Sequence, residues 1–124
     1  MKKEQFNTVI IGAGQAGLAA GYYLSRIKND FIILDEGNQI GDSWRQRWNS
    51  LRLFTPSQHD GLPGFPFPAV RGTLPTKEEM ADYLSNYAKK YSLPVQYRTK
   101  EIELNKTSNN YEIITPKEIF MLIM

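Results

Sequence analysis

The sequence contains no cysteine and a single histidine, His59. Without cysteine the chain cannot form disulfides, bind a metal through thiolates or use a thiol as a nucleophile. One histidine also excludes a metal centre built from several imidazoles, and we predict no metal site. A chain free of cysteine fits a reducing compartment, so we expect a cytoplasmic location.

The sequence also has little excess charge and no long apolar run. It holds 15 Lys and Arg against 13 Asp and Glu, a net charge of +2, which is too small to indicate a nucleic-acid partner. Residues 6–25 are uncharged, but four glycines interrupt them and the polar run 26–30 follows, unlike an export signal or a membrane span. We therefore expect neither nucleic acid nor a membrane as a partner.

Residues 7–36 have the pattern of one right-handed βαβ unit. Thr8–Ile11 and Phe31–Leu34 are short apolar runs of the kind that a parallel sheet buries on both faces. Between them, the apolar residues of 15–27 recur at helical spacing, with two glycines on a face that can lie close to a strand. The pattern predicts an α/β fold.

The rest of the 124-residue chain divides into three stretches within one domain, 1–124. Residues 55–76 hold five of the seven prolines, so we expect a loop that lies over the surface or covers a ligand. Thr76 and Glu79 have capping-box spacing, which predicts a helix over 77–92 with its tyrosines in the core and at its rim. Loosely alternating runs predict a small antiparallel β meander over 95–123.

A G-x-G-x-x-G sequence, residues 12–17, lies between the first predicted strand and the predicted helix. Glycine at 12 and 14 lets a pyrophosphate approach the N–H groups at the helix start, and Gly17 lets the helix approach the strand. Asp35 ends the next strand, 23 residues after Gly12, where its carboxylate can accept from ribose hydroxyls. The pattern predicts a dinucleotide site. The carboxylate argues against the 2′-phosphate of NADP and leaves FAD and NAD open.

Five segments together resemble the N-terminal part of flavin-containing monooxygenases: TVIIGAGQAG, FIILDEG, IGDSWRQRWNSLRLFTP, GLPGFPFP and YLSNYAKKY. The likeness is greatest to bacterial flavoprotein oxidoreductases of that superfamily and to plant monooxygenases of auxin biosynthesis. It implies FAD as the cofactor, in a Rossmann-like FAD-binding domain of the two-dinucleotide-binding-domain flavoprotein type. The residues it assigns to the cofactor are Gly12, Gly14, Gln15, Ala16, Gly17, Asp35, Glu36, Gly41, Ser43, Trp44 and Arg45. It assigns no catalytic side chain, because the flavin ring performs the chemistry.

The chain departs from the family pattern in places. Asp35 stands where glutamate is commoner, and Gly41-Asp42 replaces the commoner Gly-Gly. Residues 100–102 correspond to the strand whose backbone touches adenine in the family, with Glu101 where valine is usual.

Full-length members of the family continue with a second G-x-G-x-x-G domain for NADPH, which these 124 residues do not contain. We therefore expect a truncated FAD-binding portion of an NADPH-dependent flavin monooxygenase-like oxidoreductase, inactive in turnover alone. Two alternatives stay open. One is a stand-alone module for NAD or FAD, with self-association or a complementing chain supplying missing strands. The other is an inactive remnant that binds nothing tightly.

Overall fold

The computed structural model describes residues 2–101 and 103–123. It contains two sheets, and the first two strands of the chain belong to different ones. Strand β1 (Lys2–Phe6) is separated by one residue from β2 (Thr8–Ile11). Strand β2 pairs in parallel with β3 (Phe31–Leu34), which pairs in parallel with β4 (Val95–Gln96). The two strands predicted for the βαβ unit therefore lie side by side, with Thr8 opposite Phe31.

Strand β3 lies at the centre of the core because both of its faces are covered. All four of its residues are buried. Phe31 and Ile33 belong to one apolar cluster, which includes helical residues, and Ile32 and Leu34 belong to another, which includes residues of the second sheet. A strand in this position needs a continuous apolar sequence rather than an alternating one, and FIIL supplies it.

Helix α1 (Gln15–Arg26) lies against this parallel sheet. Leu18 and Gly21 are its buried residues, and a Cβ at Gly21 would be 3.0 Å from Ile33 Cδ1. The close approach of helix and strand at small residues, predicted from the glycine spacing, is confirmed.

The second sheet is mixed and has the order β1-β7-β6-β5. Strands β5 (Glu103–Lys106), β6 (Asn110–Ile114) and β7 (Glu118–Ile123) are successively antiparallel, and β1 runs parallel to β7. Val95–Gln96, which the sequence pattern assigns to the meander, is not part of it. The N–H groups of Ile33 and Asp35 donate to Pro94 O and Gln96 O at 2.9 and 3.0 Å, so this segment extends the parallel sheet instead.

Helices α2 (Asp42–Arg45) and α3 (Lys77–Lys90) pack against each other. The predicted capping box is confirmed: Glu79 N–H donates to Thr76 Oγ1, and Thr76 N–H donates to Glu79 Oε1, both at 3.1 Å. Gly41 precedes α2 at φ +91°, and a Cβ there would lie 2.8 Å from Ala81 of α3. In the described part of the chain, no helix combines the length and apolarity needed to cross a membrane.

Two tyrosines of α3 and the tyrosine that caps its C-terminus attach the proline-rich loop to the core. The hydroxyl groups of Tyr83, Tyr87 and Tyr91 donate to the carbonyls of Phe65, Pro63 and Gly64 at 2.5, 2.6 and 2.5 Å. Tyr83 and Tyr87 are buried, which confirms their predicted place in the core. Their hydroxyls satisfy carbonyls of a segment that has no regular secondary structure to pair with.

Candidate functional site

The glycine-rich turn leaves open space at the N-terminus of α1. Gly12 has φ +99°, and its N–H donates to Leu34 O at 2.7 Å, which fixes the turn to β3. No heavy atom lies within 4 Å of the position that a Cβ would take at Gly12 or Gly14, apart from chain neighbours. Gly14 is the N-cap of α1 and offers no capping side chain, and the first turn holds no acid. The backbone N–H groups at the start of α1 are therefore available to an anion.

Gly17 is required by packing. A Cβ at this position would lie 1.9 Å from Gly12 O and 3.3 Å from Ile10 Cγ2. The third glycine therefore lets the helix lie directly on the turn, as the motif predicts. Gln15 and Ala16 lie in the first turn of the helix and are exposed.

Asp35 joins the ends of β2 and β3. Its Oδ1 accepts from Ala13 N–H at 2.9 Å, and its Oδ2 accepts from Gly37 N–H at 3.0 Å. An ionised carboxylate has about four acceptor positions, so two are still available to ligand hydroxyls. Glu36 is exposed, and its carboxylate is 4.0 Å from Lys100 Nζ.

A cavity of about 620 Å³ brings many of the predicted residues together. Gly14, Asp35, Glu36, Gly41 and Ser43 line it. Its wall also includes Ala13, Gln46, Leu84, Arg98 and Lys100. Sequence reasoning missed Arg98, whose Nε donates to Asn38 Oδ1 at 3.0 Å and whose position depends on a backbone φ of +51°.

A second cavity of about 310 Å³ also borders the first turn of α1. It is lined by Gln15 and by residues of 44–60, including Trp44, Arg47, Trp48 and Asp60. Asp60 is buried and accepts from the Thr55 hydroxyl through Oδ1, while its Oδ2 is the one buried side-chain oxygen or nitrogen of the described residues that lacks a partner. The two cavities both touch the start of α1, through Gly14 and Gln15.

The structure separates the predicted pair Trp44 and Arg45. Trp44 lines the second cavity and packs against the core. Arg45 lines neither cavity: its Nη1 donates to Ile40 O at 2.6 Å, and its guanidinium is 3.4 Å from both Asp42 and Asp82. In the predicted adenine-contact segment 100–102, Lys100 lines the first cavity and Glu101 is exposed, while Ile102 lies outside the described residues.

A family model described as pyridine nucleotide-disulphide oxidoreductase matches residues 9–121. The chain belongs to this family. An uncharacterised oxidoreductase, CzcO, of Bacillus velezensis is 42% identical over 113 residues, which are 91% of this chain and 33% of the relative. The chain thus spans about a third of the length of the curated relatives it matches.

Solved structures share the fold. A flavin-containing monooxygenase from Stenotrophomonas maltophilia superposes with a TM-score of 0.90 at 32% identity, over 98% of this chain and 37% of that protein. OTEMO in complex with FAD and NADP has a TM-score of 0.80 at 18% identity, over 94% of this chain and 24% of OTEMO. The predicted resemblance to flavin-containing monooxygenases is confirmed, and both solved structures share the α/β fold of this chain.

Proposed function

We propose that the chain binds FAD at the start of α1 and forms the FAD-binding part of an NADPH-dependent flavin monooxygenase-like oxidoreductase. The observation that carries the proposal is the uncapped N-terminus of α1, with open space at Gly12 and Gly14 and the Asp35 carboxylate beside it. A diphosphate fits this set of groups, because N–H donors face it and no side chain fills its place.

The first cavity suits the ADP half of the cofactor. In this arrangement the N–H groups near Gly14, Gln15 and Ala16 bind the phosphates, and Asp35 and Glu36 accept from the ribose. Gly41 and Ser43 border the same space. Two carboxylates disfavour a 2′-phosphate here, so NADP is excluded from this site in the proposal.

The second cavity suits the ring end of the cofactor. Trp44 and Trp48 provide aromatic surface. Asp60 also lines this cavity, and its Oδ2, which has no hydrogen-bond partner, can accept from a donor group of the ligand. Bound FAD supplies hydride-transfer and oxygen chemistry, while the residues of this chain bind and orient it.

We place the NADPH site of the proposed oxidoreductase in a part of the protein that these 124 residues do not include. About two thirds of the length of the curated relatives lies beyond the part that this chain matches. The chain alone is therefore expected to bind FAD without turning over NADPH. OTEMO, which shares the fold, has been crystallised with both FAD and NADP.

The visible spectrum of the purified chain tests the proposal. We expect flavin absorbance, and FAD as the nucleotide released by acid. If the protein is colourless, and is still colourless after incubation with excess FAD and removal of the unbound FAD, the FAD proposal is wrong. Binding of NAD by such a protein would then support the stand-alone module, and binding of neither nucleotide would support the inactive remnant.

Replacing Asp35 by asparagine should weaken FAD binding about tenfold or more. The amide has one acceptor oxygen where the carboxylate has two, so a charge-assisted bond proposed for the ribose hydroxyls is lost, worth about 1.5–3 kcal/mol. Its NH₂ group also lies against Ala13 N–H or Gly37 N–H, which costs stability in both the free and the bound protein. Fluorescence titration with FAD measures the change. Asp30→Asn is the matched control, because it removes the same charge from an exposed side chain. Equal affinities of the two variants would contradict the assignment of Asp35.

A further inference from the structure

Lys77 is a buried lysine at an unexpected place. It is the first residue of α3, only 3% exposed, and its Nζ donates to Arg45 O at 2.8 Å and Arg47 O at 2.5 Å. The carboxylate closest to it, that of Glu78, is 3.7 Å away and 60% exposed.

This arrangement is a poor source of stability. Burying an ammonium group without a buried counter-ion carries a desolvation penalty that two carbonyl acceptors offset only in part. The positive end of the α3 dipole also disfavours a cation in the first turn. The lysine instead fixes the distance between the start of α3 and the Trp44–Trp48 segment, which runs from the end of α2 into the loop after it.

That segment forms one wall of the second cavity. The two acceptors of Lys77, Arg45 O and Arg47 O, lie between Trp44 and Trp48, and both tryptophans line the cavity. The backbone N–H of Lys77 also donates to Leu51 O at 3.3 Å. One residue therefore fixes residues 45–51 to α3 at three carbonyls.

We propose that Lys77 is a positioning residue for the ring end of the bound nucleotide, which acts by holding the Trp44–Trp48 segment against α3. The inference rests on the proposed function, in which this segment contacts the flavin ring. Gln15 on α1 forms the other side of the cavity, so displacement of the segment changes the space between them. The ADP half, bound in the first cavity, depends mainly on the start of α1 and on Asp35, and of the held residues 45–51 only Gln46 borders that cavity.

Lys77→Met tests this, with Lys89→Met as the matched control on an exposed lysine of the same helix. Methionine keeps an unbranched chain of similar size without the charge. FAD and ADP affinities are measured by calorimetry. Trp44 and Trp48 are the only two tryptophans, so acrylamide quenching of tryptophan fluorescence measures how exposed this segment is in the ligand-free protein. Urea unfolding monitors stability.

We expect Lys77→Met to bind FAD about tenfold more weakly and ADP within about twofold of the original affinity, because most of the displaced segment lines the second cavity and only Gln46 lines the first. Tryptophan quenching should rise. The unfolding midpoint should change little, because removing the buried charge offsets the cost of the two carbonyls that lose their donor. Equal losses for FAD and ADP, or unchanged FAD affinity with unchanged quenching, would overturn the inference. If the original chain binds ADP but no FAD, the proposed function fails, and the quenching of ligand-free Lys77→Met still decides whether Lys77 holds the segment.

Discussion

The Gly17→Ala variant is expected to lose about 3 kcal/mol or more of stability and to bind no FAD. The added methyl group would lie 1.9 Å from the carbonyl oxygen of Gly12, and this oxygen belongs to the backbone of the turn itself. Overpacking against backbone is at the costly end of such changes, because no side chain can rotate away. Either α1 moves off the turn or the turn changes conformation, and both displace the N–H groups that face the ligand. Urea unfolding measures the first effect and FAD titration the second.

Gly14→Ala separates the two effects of Gly17→Ala. Gly14 has an ordinary φ of −85°, and no atom lies within 4 Å of its Cβ position. Alanine there should cost about 1 kcal/mol or less as a poorer N-cap, but its methyl group fills the space assigned to the phosphates. We expect a folded protein that does not bind FAD. If Gly14→Ala binds FAD normally, the phosphates are not where we place them.

The local features of this fold could be predicted from the sequence because each depends on near neighbours. The apolar run Phe31–Leu34 indicates a strand buried on both faces, and burial of all four residues agrees. Thr76 and Glu79 form the capping box at the position that their spacing indicates. The positive φ of Gly12 and the contact of Gly17 with the turn follow from a motif whose glycines have distinct steric tasks.

Features that depend on distant partners could not be predicted in this way. Lys77 reads in the sequence as a polar residue at a helix start, and only the tertiary structure shows that it reaches the carbonyls of Arg45 and Arg47. The family resemblance assigns Arg45 to the cofactor, and only the structure shows that Ile40 O and Asp82 of α3 bind its guanidinium. Val95 pairs with Ile33 in the parallel sheet, a long-range contact that periodicity does not reveal.

Replacing Tyr83 by phenylalanine should destabilise the protein by about 3 kcal/mol. The Tyr83 hydroxyl donates to Phe65 O at 2.5 Å and accepts from Leu62 N–H at 2.6 Å, so its removal leaves two backbone groups without partners in a buried region. Tyr87→Phe is the matched control, because its hydroxyl makes one such bond, to Pro63 O at 2.6 Å, and should cost about 1 kcal/mol. Similar losses for the two variants would contradict the double role of Tyr83.

The same hydroxyls predict how stability depends on pH. Burial is the main cause that raises the pKa of both Tyr83 and Tyr87 above the usual value of about 10. Because the folded state keeps these protons more tightly than the unfolded chain, their stabilisation is complete below pH about 10 and falls as the pH rises beyond it. The urea midpoint should therefore fall more steeply between pH 8 and 11 in the original chain than in the double variant Tyr83→Phe/Tyr87→Phe. Part of the slope remains in that variant, since burial and the nearby Asp35 charge also raise the pKa of Tyr97. Equal slopes in the two proteins would show that ionisation of the buried hydroxyls does not limit stability at high pH.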